Sequence, residues 1–455
     1  MTHLPANPES VFTYGAPQLK FGPGSSDEIG YDLSAYGARR VLVITDPGIA
    51  ATGHPQRVAD QMAAFGIEAQ VYDGAHVEPT DASLQAAIDH ARATGPWDAF
   101  VAVGGGTAID TAKAVDHARE TGPWDAFVAV GGGSAIDTAK AVDLLCTNPG
   151  DLIDYVNAPV GGGRAPENPL APLVAVPTTT GTGSESTTIC VLDVLEQKVK
   201  TGISHPRLRP TLAVVDPRLT VTQPPGVTAA AGMDILCHAL ESWTARPYSS
   251  FERKTPDQRV PYCGANPIAD MWAERSLRLL AGSFRTAVKH GDDVQAREQM
   301  SMAATFAGMG FGNAGVHIPH ANAYPVAGRV RDFHPADYPD DHAMVPHGMA
   351  VSLTAPEAFR FTFDADPERH VRAAEMLAPG ADRPDDLREF LPAVLADLMR
   401  DIGIPNGLGA VGYGESDVPD LVEGTLKQQR LLATAPKDVT EDDAASILRA
   451  SLELW

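Results

Sequence analysis

The chain has no CxxC pair, and its four cysteines, Cys146, Cys190, Cys237 and Cys263, lie far apart. That spacing argues against both a disulfide framework and a thiolate zinc site, and it fits a reducing intracellular compartment. Basic residues are scarce too, with 35 Lys and Arg against 58 Asp and Glu, for a formal charge of −23. A nucleic-acid surface needs clustered cations, so no nucleic-acid partner is expected, whereas small anionic substrates require only a few local basic groups. No apolar run approaches the roughly 20 residues of a membrane helix. The opening MTHLPANPESVF lacks the basic start and apolar run of a secretory signal, and it holds no arginine for a mitochondrial one. The expectation is an acidic cytoplasmic protein with no membrane partner, assembled as a homo-oligomer.

At 455 residues the chain is too long for one typical core, which predicts two domains. Short β-branched runs alternate with helical patterns from Arg39 onward: VLVITD (41–46), a helix-like stretch at 55–65, EAQVYDG (68–74) and a second helical stretch at 82–93. This β-α-β-α order predicts a parallel sheet with crossover helices, to which LVAVP (173–177) and TLAVVDP (211–217) add strands. From Val227 the β-branched runs fade, and helical periodicity at 228–245, 268–289, 293–308, 367–377 and 385–402 predicts an all-α second domain. Two irregular stretches, 246–267 and 329–346, exceed ordinary loop lengths and are candidates for function.

Residues 90–116 recur nearly verbatim at 117–143, an offset of 27 interrupted only at Ala93/Glu120 and Thr107/Ser134. The unit is one strand, one glycine turn and one helix, and with only two copies it is a local duplication rather than a solenoid. A strand running into Gly-Gly-Gly-Ser and then a helix exposes backbone N–H groups at the positive helix end, where a pyrophosphate can approach closely. The pattern is not GxGxxG, and a purely structural tight turn is an equal reading. A second loop, TTTGTGSE (178–185), offers hydroxyls for ribose, phosphate or carboxamide. Two such loops at strand ends fit a dinucleotide crossing the sheet edge.

GMDILCHALESW (232–243) places Asp234 and His238 four residues apart on a helical stretch, so both side chains share one face. Five histidines, His317, His320, His334, His342 and His347, crowd into the segment 315–348. A single buried histidine is more often hydrogen-bonded core than ligand, but this grouping favours a metal site. Three imidazoles and a carboxylate without thiolates suit Fe(II) or Zn(II). Such an ion polarises an alcohol oxygen as hydride leaves carbon, so a dinucleotide beside it means alcohol/carbonyl redox chemistry.

GGGSAIDTAK, PTTTGTGSE, GMDILCHALESW and the PHG at 346–348 resemble the iron-dependent (group III) alcohol dehydrogenase family over nearly the whole chain. The resemblance implies a dehydroquinate synthase-like fold, with an α/β dinucleotide-binding domain at 1–217 and an all-α metal and substrate domain at 218–455. It implies metal ligands Asp234, His238, His320 and His347, and NAD contacts at Asp46, the turn Gly132-Gly133-Ser134, Asp137, Thr178, Thr179, Thr182 and Lys200. Of the two copies the second is favoured for the phosphate, because it carries the family's Ser134 and runs directly into AVDLLCTNPGDLIDYV.

Two departures narrow the resemblance. The family's usual HxxxH pair is here HANAY, with Tyr324 in the second place, and an insert, 330–345, lengthens the path from His320 to His347. Together with GFGNAGVH, VKTGISHPRLRPTL and ALESWTARPY these features resemble the hydroxyacid-oxoacid transhydrogenase branch. That implies oxidation of 4-hydroxybutyrate to succinic semialdehyde coupled to reduction of 2-oxoglutarate to 2-hydroxyglutarate, on an NAD that stays bound. Both substrates carry a remote carboxylate, for which Arg329, Arg331 and His334 offer cations just after a ligand, although a solvated basic patch is an equal reading. His317 and Tyr324 are candidate proton relays. The alternatives are an ordinary NAD-dependent alcohol dehydrogenase of the family, an inactive remnant whose sheet the extra unit spoils, and a dehydroquinate synthase-like lyase. The lack of a Lys/Arg cluster for a sugar phosphate disfavours the lyase.

Overall fold

The computed structural model describes residues 5, 7–45, 50–73, 90, 93–95, 97–104, 125–158, 160–194, 199–338 and 343–455. The chain divides into two compact units: Ala16–Thr179 with Ser184–Thr220, and Met1–Gly15 with Thr180–Gly183 and Val221–Trp455.

The first unit is built on a parallel sheet. Its strands are β1 (Gln18–Phe21), β2 (Arg40–Thr45), β3 (Glu68–Tyr72), β4 (Ala99–Gly104), β5 (Ala126–Gly131), β6 (Leu173–Pro177) and, after an antiparallel pair of β7 (Ile189–Val194) with β8 (Val199–Ser204), β9 (Leu212–Val215). The seven parallel strands run in the order β1-β9-β6-β5-β4-β2-β3. Valine at every second position drives the packing. Val128, Val130, Val174 and Val214 join the core that includes Ile29 of α1 (Ile29–Ala35) and Val58 of α2 (His54–Ala63). Phe127, Ala129 and Ala175 point the other way, toward Ile136 and Ala139 of α3 (Gly133–Thr147). Side chains of successive residues alternate between faces, so a sheet covered on both sides reads as a continuous apolar run. β1 and the β7–β8 pair lack that signal. QLKF is a short, partly exposed edge strand, and the pair stands apart from the main sheet.

The duplication enters this sheet as an additional strand. β4 and β5 are both AFVAVG, and they pair so that each residue faces its own duplicate, from Ala99 opposite Ala126 to Gly104 opposite Gly131. β4 also pairs with β2 and β5 with β6. Either copy alone would therefore offer the same residues to both neighbours. The helix of the second copy is α3, whereas 105–116 of the first copy, 117–124 of the second and most of the helix expected at 82–93 lie outside the described residues.

The second unit is helical. Its central element is α4 (Pro225–Thr244), whose residues Met233 to Thr244 are all buried. A helix enclosed on nearly every side carries apolar residues all round rather than one stripe. Against it pack α5 (Pro267–Lys289) and α6 (Val294–Ala314). α6 outruns its expected end at Gly308 because the whole stretch to Ala314 is buried, where helical hydrogen bonds satisfy the backbone. Gly315, at φ 95°, then ends it. Two further helices, α7 (Ile318–Gly328) and α8 (His347–Ser352), flank the irregular stretch expected at 329–346. Pro319 sits in the first turn of α7, a position that tolerates proline because its amide has no helical partner. Among the described residues no helix is long and apolar enough to cross a membrane, and all four cysteines are free.

Candidate metal centre and cofactor loops

Asp234, His238 and Glu241 follow one another at helical spacing along α4, and all three are buried. His320 projects from the first turn of α7, and His347 opens α8. Three imidazole nitrogens converge on one carboxylate oxygen: from Asp234 Oδ1 it is 3.8 Å to His238 Nε2, 3.5 Å to His320 Nε2 and 3.9 Å to His347 Nε2. Ligand atoms of Asp234, His238 and His320 all lie within 4.8 Å of one another. Asp234 Oδ1 and His320 Nε2 are buried without a hydrogen-bond partner. Such orphaned polar atoms cost on the order of 1–3 kcal/mol each. A divalent cation among these donors satisfies them together, and three nitrogens with one oxygen suit iron or zinc.

Packing holds the donors in place. The His238 ring stacks on Phe311, centroids 3.9 Å apart, and on His320 at 4.5 Å. Gly348 lets α8 lie directly on α4, since a Cβ there would fall 2.0 Å from the Ala230 carbonyl oxygen and 2.7 Å from Asp234 Cβ. Any larger residue would lift His347 away.

Glu241 is the functional residue that the sequence reading missed. Its Oε1 accepts from His320 Nδ1 at 2.5 Å, and its Oε2 accepts from the His317 backbone N–H at 2.5 Å. A carboxylate on Nδ1 fixes the ring's tautomer and turns Nε2 toward the cluster. The signal was present in the sequence, because Glu241 is seven residues from Asp234 on the same helical face. The electrostatics agree with a cation site. Burial alone would raise Asp234, but His238, His347 and His320 hold its carboxylate well below the usual range. Burial drives His238 down to about 3, while at His320 the carboxylates of Glu241 and Asp234 overcome burial and lift the imidazole to about 9. His320 would hold a divalent ion through Nε2 in its neutral form, with Glu241 keeping the proton on Nδ1. Glu241→Gln is expected to weaken metal binding by roughly 10–100-fold, the usual effect of losing a ligand's outer partner. Competition against a coloured chelator measures it.

The other expected residues fall in different places. His317 is fully buried; its Nε2 lies 3.0 Å from Thr244 Oγ1, its ring meets Phe359 edge-on, and burial lowers it to about 4. The Tyr324 ring lies 6.0 Å from that of His347, in a cluster with Tyr262, Phe311 and Val316. Tyr338 of the insert is near enough for Asp234 to matter, burial and that carboxylate together pushing its phenol up to about 12. Arg331 is not brought to the cluster: both its terminal nitrogens bind Asp417, at 2.8 and 3.0 Å. Arg329 faces Asp420 and Glu423 on α9 (Val418–Leu426), at 3.6 and 3.9 Å. His334 is exposed, and His342 lies outside the described residues.

In the α/β unit the second copy's turn, Gly131-Gly132-Gly133, adjoins the hydroxyl-rich loop. Thr178 N donates to Gly131 O at 3.0 Å, and a Cβ on Gly132 would stand 3.2 Å from Thr179 Oγ1. Among the described residues no side chain caps the N-terminus of α3, a helix end whose amides suit an anion. Ser134 is the second residue of α3, but its side chain lies outside the described residues, as does that of Lys200 in β8. Asp137 differs from the expected cofactor contact: its Oδ1 accepts from Lys140 Nζ at 3.1 Å and its Oδ2 from Val191 N at 2.9 Å. Lys140, fully buried, also donates to Thr187 Oγ1 and Ile189 O. The pair thus fastens α3 to β7. Asp46 lies outside the described residues, and the end of β2 that leads to it is separated from β5 by β4. Thr182 belongs to the helical unit and Thr178 and Thr179 to the α/β unit.

Comparison with known proteins gives a consistent set of likenesses. Residues 16–126 and 114–217 match the family described as "Iron-containing alcohol dehydrogenase", and residues 260–452 match "Fe-containing alcohol dehydrogenase family, C-terminal". The first match comes in two pieces that overlap at 114–126, as a chain with one strand-turn-helix unit too many would give. A Bos taurus protein named "Hydroxyacid-oxoacid transhydrogenase, mitochondrial" is 42% identical over 452 residues, 98% of this chain and 91% of that one. Among solved structures, a 1,3-propanediol oxidoreductase superposes with a TM-score of 0.75 at 30% identity, covering 97% of this chain and 100% of that one. A sulfoacetaldehyde reductase from Bifidobacterium kashiwanohense, in complex with NAD+, gives a TM-score of 0.73 at 25% identity, covering 97% and 99%.

Proposed function

The chain belongs to the iron-containing alcohol dehydrogenase family, and from that premise we propose that it is a hydroxyacid-oxoacid transhydrogenase. It oxidises 4-hydroxybutyrate to succinic semialdehyde and reduces 2-oxoglutarate to 2-hydroxyglutarate, on one tightly held NAD and one divalent metal, Fe(II) or Zn(II). The observation that carries the chemistry is the buried convergence of His238, His320 and His347 on Asp234 Oδ1. The choice of branch is supported by 42% identity to the Bos taurus transhydrogenase across 98% of the chain.

When bound, the ion supplies Lewis acidity at the alcohol or carbonyl oxygen, and the dinucleotide supplies a hydride acceptor that is reused as a donor. The chain's own residues do the rest. Asp234, His238, His320 and His347 hold the ion, Glu241 orients His320, and Phe311 covers one face of His238. Tyr324, beside His347, is the proposed relay for the alcohol proton. The turn at Gly132 and Gly133 with the start of α3 receives the pyrophosphate, and Thr178 and Thr179 of the same unit offer hydroxyls beside it. Arg329 and Arg331 have no part in this proposal, because Arg331 is hydrogen-bonded to Asp417 and Arg329 lies beside Asp420 and Glu423. Hydride and proton leave the hydroxyacid and reach the oxoacid, so the reaction consumes no free nucleotide.

We place the enzyme in the cytoplasm, a reducing compartment that suits four free cysteines, as a homo-oligomer. Purified protein given both substrates without added NAD is expected to form succinic semialdehyde and 2-hydroxyglutarate in equal amounts. Activity that requires stoichiometric free NAD and ignores 2-oxoglutarate belongs instead to an NAD-dependent alcohol dehydrogenase, the reading favoured by the likeness to 1,3-propanediol oxidoreductase.

A further inference from the structure

Asp337, in the insert between His320 and His347, is the one non-glycine residue with positive φ among the described residues, at 68°. In that conformation its Oδ2 accepts a 2.7 Å hydrogen bond from the backbone N–H of Gly226, in the first turn of α4. Amides there have no helical partner, and the helix dipole favours a carboxylate. The fit is close: a Cβ on Gly226 would stand 2.8 Å from Ala336 O and 3.0 Å from Asp337 Oδ2. The insert is tied further by the Met344 N–H donating to Phe333 O at 2.8 Å, and Phe333 and Tyr338 pack on the core of the helical unit.

These contacts follow one face of α4 at intervals of one turn. Asp337 meets Gly226, Gly348 meets Ala230, and His347 meets Asp234. Residues 336–337 and 347–348 thus both meet the first turns of the helix that carries Asp234. The anchoring matters because His347 is the donor that the core holds least. Its side chain is 34% exposed, against 6% for His238 and 4% for His320.

We propose that Asp337 is a positioning residue for His347. Its bond to Gly226 pins this part of the insert, Ala336 and Asp337, against the start of α4 and thereby sets how long the fourth donor stays at the ion. This rests on the metal reading above, and it adds a second determinant of metal retention remote from the ligands themselves.

The test uses full-length protein loaded with Co(II), whose visible absorption reports coordination. Asp337→Ala is expected to release Co(II) to a chelator about tenfold faster, the scale of one lost capping interaction. Its spectrum should shift toward that of His347→Ala. Asp337→Asn keeps an accepting oxygen and tolerates positive φ, so its release rate should stay within about threefold of the parent. Gly226→Ala favours the helix by propensity yet meets Ala336 O. It should therefore speed Co(II) release without loss of helix content, which a merely structural role for this contact would not give. The proposal is overturned if Asp337→Ala and Gly226→Ala both keep the parent's release rate and spectrum while His347→Ala does not. If His347→Ala also behaves like the parent, the metal reading itself fails at His347 and takes this proposal with it.

Discussion

Asp234→Asn is expected to lose its metal, and with it about a thousandfold or more in kcat/KM for both half-reactions. Three imidazole nitrogens face Asp234 Oδ1 at 3.5 to 3.9 Å, so this oxygen is the common point of the cluster. Asn is nearly the same size but neutral, and it leaves three nitrogens around a much weaker donor. Lewis acidity contributes several kcal/mol to such transition states, which at about 1.36 kcal/mol per decade gives the stated loss. The check is metal content by elemental analysis together with steady-state rates. Thermal unfolding supplies an independent readout. A tightly bound ion stabilises only the folded form, so added metal should raise the midpoint of the parent and leave that of Asp234→Asn unchanged. A variant that retains both metal and rate would remove Asp234 from the site.

Gly132→Val should produce the second large effect, a loss of NAD affinity on the order of 10–100-fold. Its Cβ would press on Thr179 Oγ1 from 3.2 Å and occupy the approach to the N-terminus of α3. Hydrogen bonds to a charged group contribute roughly 1.5–3 kcal/mol each, so displacing one phosphate contact gives that range. The equivalent Gly105→Val in the first copy is expected to change affinity by less than about threefold, on the same scale. Deletion of residues 90–116 should also retain NAD binding. In that variant β5 inherits the place of β4 beside β2 with the same AFVAVG sequence, so the sheet closes with six strands in unchanged register. Calorimetric titration of NAD into the three proteins distinguishes the copies. Loss of affinity in Gly105→Val with none in Gly132→Val would assign the phosphate to the first copy.

How much the sequence revealed follows from how local each signal was. The parallel sheet was legible because strands buried on both faces read as short valine-rich runs, and the Asp234/His238 pair because one helical turn joins them. Glu241 obeyed the same periodicity, but on a helix this apolar its carboxylate needed the His320 ring opposite it to acquire a meaning. The approach of His320 and His347 to Asp234 depends on how α7 and α8 pack on α4, which no spacing encodes, and their choice as candidate ligands came from resemblance. Arg329 and Arg331 misled for a related reason. Sequence proximity to a ligand does not show that Asp417, Asp420 and Glu423 reach those cations in the folded chain. Asp137 was likewise part of a recognisable motif, yet its oxygens serve Lys140 and Val191.

Hydride retention on a bound cofactor is the central claim, and isotope transfer measures it directly. The enzyme is given 4-hydroxybutyrate deuterated at C4, unlabelled 2-oxoglutarate and an excess of unlabelled NADH, and the 2-hydroxyglutarate is weighed by mass spectrometry. A transhydrogenase that keeps its nucleotide passes the deuterium to C2 of the product despite the free NADH. Product without deuterium, with the label found in the free nucleotide pool, would contradict the account and leave an ordinary NAD-dependent alcohol dehydrogenase.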